Sequence, residues 1–225
     1  MTEARTEAAV SARLWDWPVR LVHWALVLLL GFAWWSVDDH LTWHRWSGYA
    51  ILGLLLFRVL WGFVGSRTAR FSSFVKGPGA TIAYARTLPN RDPADVPGHN
   101  PIGGWSVVAL LVVLLATVTT GLFAVDVDAF EAGPLSDRVS YDLGRQFAVW
   151  HDLIFRILQV LVAVHVLAVA YYLVWKRTNL IGAMFTGRRR FAADPGLTFA
   201  PAWRIAAAAV LAAAIAWIVS KGFRL

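Results

Sequence analysis

Long apolar stretches alternate with short polar ones along the chain. Runs of about the 20 residues that cross a bilayer fall at roughly Pro18–Val37, Trp46–Val64, Trp105–Val125 and Ala148–Trp175. A fifth, alanine-rich run covers roughly Ala202–Ser220. Each reads as a helix, because a backbone in lipid must satisfy its own hydrogen bonds. Alanine contributes little to insertion, so the fifth run reads either as a further span or as a helix lying in the interface.

The connections between runs carry opposite charges. Arg5, Arg13 and Arg20 precede the first run; Arg67, Arg70, Lys76, Arg86 and Arg91 separate the second from the third. Lys176, Arg177, Arg188, Arg189 and Arg190 follow the fourth. The other two connections are acidic, with Asp38 and Asp39 in one and Asp126, Asp128, Glu131, Asp137 and Asp142 in the other. The positive-inside rule then places the N-terminus in the cytoplasm and the acidic loops outside. The expected division is a cytoplasmic tail over residues 1–13, a membrane domain over 14–187, and a basic linker with the fifth helix over 188–225. The stretch Pro89–Gly98 reads as a loop.

Composition agrees with several passes through a bilayer. The chain has 225 residues, 58% of them hydrophobic, and 13 tryptophans that gather near the ends of the apolar runs, where indole rings favour the lipid–water boundary. The net charge of +7 follows the topology, so nucleic acid is not needed as a partner. The absence of cysteine excludes disulfides, iron–sulfur clusters, thiolate haem and c-type haem attachment. The two methionines, Met1 and Met184, lie outside the apolar runs. For iron held within the membrane, histidine is the remaining ligand. The tail "MTEARTEAAVSAR" lacks the apolar core and cleavage site of a secretory signal.

Polar side chains inside a bilayer are costly and usually functional, which directs attention to the histidines. His151 and His165 are fourteen residues apart on the fourth run, or ~21 Å along a helix and within ~40° of one face. His23 lies near the inner start of the first run, level with His165. His44 lies at the outer start of the second, level with His151. Two cross-helix imidazole pairs at two depths would clamp two haems, one in each leaflet. His40 and His44, four residues apart, could instead bind zinc, but that leaves three histidines unexplained.

Other residues fit the same picture. Gly48, one turn from His44, gives room for a flat macrocycle, although small residues also serve ordinary helix packing. Arg58 is placed for a propionate of the inner haem, and Arg45 and Arg156 for the outer one; each can equally reach the surface or another side chain. Asp152 is a candidate acceptor for a ligand imidazole. In "GHNPIGG", His99 and Asn100 can hydrogen-bond a quinone, or Asn100 can simply cap the helix that begins with Pro101.

"WDWPVRLVHW", "WHRWSGYAILGLLLFRVLWGFVGSRTARF", "GHNPIGGW" and "WHDLIFRILQVLVAVH" together resemble the bacterial cytochrome b561 family, which includes the b-type cytochrome subunit of nickel–iron hydrogenases. The resemblance runs from Leu14 to Gly187. It implies an all-α integral membrane protein, a four-helix di-haem bundle, to which this chain adds a fifth C-terminal transmembrane helix. It also implies two b haems ligated by His23, His44, His151 and His165 in a multi-pass protein of the bacterial inner membrane. Electrons would pass between the quinone pool and a redox partner, such as a periplasmic c-type cytochrome or the small subunit of a hydrogenase. Two rival readings stand beside this one: a quinone reductase that oxidises superoxide or another small reductant, and a haem-free transporter or assembly protein.

Overall fold

The structure, a computed structural model, describes residues 10–91, 96–127 and 131–224. Arg5, Asp128, the first nine residues of the tail and residues 92–95 of the Pro89–Gly98 loop lie outside the described residues.

The described residues contain strand β1 (Val10–Arg13), helices α1 (Trp17–Ser36), α2 (Leu41–Val64), α3 (Phe71–Phe74), α4 (Pro78–Ala85), α5 (Pro101–Phe123), α6 (Tyr141–Val174) and α7 (Leu180–Thr186), strand β2 (Arg188–Phe191) and helix α8 (Ala202–Ser220). Helices α1, α2, α5, α6 and α8 are long and apolar enough to cross a membrane. Local chemistry fixes where the helices start. The Asp16 carboxylate accepts from the Val19 N–H at 3.1 Å with Pro18 in the first turn, and the Asn100 amide oxygen accepts from the Gly103 N–H at 2.8 Å ahead of Pro101. Ser140 caps α6 in the same way through the Leu143 N–H. Such caps satisfy backbone donors that have no partner within the helix.

Helix α2 is the axis of the bundle, with α1 and α8 packed along it, while α6 lies along α5. Ala208, Ala212 and Ala216 are buried on one stripe of α8, and Ala216 meets α2 where a Cβ on Gly53 would sit 3.6 Å away. Small residues at this spacing let two helix backbones approach closely in lipid. The alanine-rich run is therefore a packed spanning helix and not one lying in the interface.

At the end of the bundle that holds the start of α1, the inner end if the charge pattern sets the orientation, the chain is tied together by polar groups. Trp61 is fully buried and donates its indole N–H to the second oxygen of Asp16 at 2.9 Å. The tail and the linker expected on either side of the membrane domain are not free segments there. Strand β1 pairs antiparallel with β2, and the backbone N–H groups of Leu14 and Trp15 both donate to the Gly187 carbonyl. Residues on both sides of the 187/188 boundary are thus hydrogen-bonded to the segment that precedes α1.

Candidate functional site

The structure brings the four membrane histidines together as two pairs. His23 of α1 and His165 of α6 have ring centroids 6.4 Å apart; His44 of α2 and His151 of α6 have theirs 6.0 Å apart, with the ring planes at 84°. The backbones of α1 and α2 come close to α6 at few points, so these rings span the space between the helices. Two imidazoles that share one metal ion at about 2 Å per metal–nitrogen bond have centroids roughly 6 Å apart. Both pairs match that requirement.

The hydrogen bonds at the outer pair decide which nitrogen is available. His44 Nδ1 lies 2.9 Å from the Ala33 carbonyl and His151 Nδ1 lies 2.8 Å from the Thr117 carbonyl. A carbonyl only accepts, so each Nδ1 carries the proton and each Nε2 keeps its lone pair for a metal. The main chain thus supplies the acceptors. Asp152, expected to play that part, instead pairs with Arg156 at 3.0 Å on the exterior of α6. A Cβ on Gly121 would come within 2.9 Å of His151 Cε1. Glycine there is what lets the ring lie against α5.

A cavity surrounds the outer pair, and its lining includes Gly48, Arg45, Arg145 and Gly121. A Cβ on Gly48 would meet nothing within 4 Å, so open space adjoins that face of α2. Arg45 pairs with Glu131 at 2.7 Å, and Arg145 donates to the Val125 carbonyl at 3.1 Å. Arg145 is a cation that the sequence reading missed. Arg156 is not brought to this cavity: its side chain is 71% exposed and turned to the outside of the bundle.

At the inner end, Arg58 is buried, donates to the Ala69 carbonyl at 3.4 Å and lies over the Phe71 ring. His99 is held between the rings of Trp15 and Phe74, each with its centroid 4.7 Å away, and its buried Nδ1 has no hydrogen-bond partner among the described residues. Burial first, then the nearby Arg58 and His165, lower its pKa to about 3, so His99 is neutral at pH 7. Asn100 caps α5, and its amide N–H donates to the Tyr172 hydroxyl at 2.8 Å; that hydroxyl lies 2.7 Å from the hydroxyl of Tyr84. His40 packs on Trp35 near the outer end of α1. Its neighbour His44 faces His151 instead, which does not favour the zinc reading.

Five spanning helices around cross-helix imidazole pairs define a multi-pass membrane protein whose interior is suited to holding a metal-centred cofactor. The chain belongs to the prokaryotic cytochrome b561 family, which matches residues 14–187. No curated protein and no solved structure matches the chain. Family membership carries b-type haem and electron transfer within the membrane. It does not extend to β2 or α8.

Proposed function

We propose that the protein is a di-haem b-type cytochrome that carries electrons across the inner membrane between the quinone pool and a redox partner. The observation that carries this reading is the placement of two imidazole pairs at two levels of one helix, α6. His23 and His165 would hold the inner haem, and His44 and His151 the outer one. Held by these histidines, the haems would supply reversible one-electron transfer.

The chain's own residues set the conditions for that transfer. The Ala33 and Thr117 carbonyls orient the outer imidazoles and raise their basicity. Arg45 and Arg145 are the cations placed for the outer propionates, and Arg58 is the one placed at the inner end. Gly48 and Gly121 keep the outer space clear of side chains.

His99 is the residue we assign to quinone. Its imidazole is neutral, its Nδ1 is free, and it lies close enough to His165 for the two to interact electrostatically. Asn100 supports this site indirectly, as the helix cap and as a partner of Tyr172. The charge pattern supports a cytoplasmic N-terminus. The acidic outer loops suit a basic periplasmic c-type cytochrome or the small subunit of a hydrogenase.

A pyridine haemochrome assay on purified protein tests the reading. Two b haems per chain is the expected result, and a colourless protein from haem-replete cells would overturn it.

A further inference from the structure

Strands β1 and β2 form a two-stranded ribbon whose register pairs Arg13 with Arg188 and Ser11 with Arg190. Directly opposed residues share a face of the ribbon. Ser11, Arg13, Arg188 and Arg190 are all exposed, while Ala12 and Arg189 on the other face are partly covered and Phe191 is buried. Three guanidinium groups therefore stand on one face of a ribbon four residues long.

That arrangement is unfavourable by itself, because like charges directly opposite each other destabilise a strand pair. No described acidic side chain pairs with Arg13, Arg188 or Arg190. Asp194, the acid nearest to Arg190 along the chain, accepts from the Gly196 N–H at 3.0 Å, and Asp16, the acid nearest to Arg13, accepts from Val19 and Trp61. Arg13 is steadied by the Phe199 ring, 4.4 Å from its guanidinium carbon, which leaves its charge uncompensated.

The position of the ribbon indicates the counter-charge. It joins the start of α1 to the end of α7, at the level of Trp17, Phe185 and Trp203, which are 49%, 56% and 66% exposed. Exposed aromatic rings at helix ends mark the lipid–water boundary, so the arginine face lies in the headgroup layer. Guanidinium groups bind phosphate through paired N–H donors. We infer that this ribbon is a binding site for the headgroups of anionic phospholipids, with Arg13, Arg188 and Arg190 contacting the phosphate. All three arginines lie outside the segment that the family matches, residues 14–187.

The test is native mass spectrometry of the full-length, haem-loaded protein in detergent, titrated with phosphatidylglycerol and, separately, with phosphatidylcholine. Each arginine at an anionic surface contributes about fivefold in affinity. R188Q/R190Q should therefore weaken phosphatidylglycerol binding by roughly 25-fold and leave the haem spectrum intact. R188K/R190K, which keeps the charge and loses the paired donors, should bind less tightly than the wild type and more tightly than R188Q/R190Q. R86Q/R91Q, which removes two charges from the loop between α4 and α5, should match the wild type.

Equal weakening in R86Q/R91Q would reduce the effect to general basic charge and overturn the site. R188K/R190K binding no more tightly than R188Q/R190Q would mean that charge on the ribbon plays no part, and would overturn the site as well. Displacement of the lipid by millimolar inorganic phosphate would make the ligand a soluble anion.

Discussion

His44 and His151 face each other across the outer end of the bundle, and each ring is held by a main-chain carbonyl, that of Ala33 at 2.9 Å and that of Thr117 at 2.8 Å. Both rings thus keep an unprotonated Nε2. A pair built this way is oriented before any metal arrives, because turning either ring would break a hydrogen bond inside the bundle.

If each pair holds one haem, replacing His151 by alanine should lower the haem-to-protein ratio from two to one. Replacing His165 should do the same at the other end, and the double variant should be colourless. Full pigment in the double variant would refute the assignment of α6 as the shared helix.

Gly121 offers a finer test. An added methyl group there would meet the His151 ring at 2.9 Å, so G121A should displace the imidazole from the Thr117 carbonyl. Potentiometric titration should show the outer haem weakened or shifted while the inner one is unchanged. Two unaltered haem potentials would mean that the ring does not lie where the structure places it.

Asp16 links two elements at the inner end, capping α1 with one oxygen and accepting from Trp61 with the other. Its replacement by alanine removes a cap, about 1 kcal/mol, and leaves a buried indole N–H unpaired, about 1–3 kcal/mol. Thermal unfolding followed at the haem band should show this loss, with D16N falling between D16A and the wild type.

His99 gives a pH signature. Its folded pKa of about 3 lies below the ordinary value of 6.5, so between those values the unfolded chain binds a proton that the folded protein does not. Stability should therefore fall as pH drops from 7 towards 4. Comparison with H99Q isolates the contribution: the wild type should lose more thermal stability over that range than the variant. Parallel curves would show that burial of His99 imposes no such cost.

Much of the fold could be read from the sequence because bilayer thickness and helical period are rigid constraints. The run Ala202–Ser220 has the same ends as α8. Helix α6 begins at Tyr141, two turns before its apolar run, because Ser140 starts the helix in polar surroundings that hydropathy does not detect. The histidine pairs emerged from depth and angle alone. Arg156 was misplaced because depth was weighed without angle: at ~100° per residue it lies ~140° away from His151, on the outer face. Arg145 lies in a polar turn above the apolar run, where nothing along the chain ties it to His151. The orienting carbonyls of Ala33 and Thr117 belong to the main chain and leave no side-chain signal. The ribbon was hidden for a similar reason: "RRRF" is too short to show strand alternation and acquires a face only when Val10–Arg13 pairs with it.

That ribbon also imposes an order on biosynthesis. Val10 emerges early from the ribosome, but its partner Phe191 follows only after α6 has been threaded into the bilayer. The nascent N-terminal strand must wait, unpaired, through most of translation, and His23 waits equally for His165. If His23 and His165 hold a haem, its capture is a late event in maturation, possible only once the polypeptide has closed on itself.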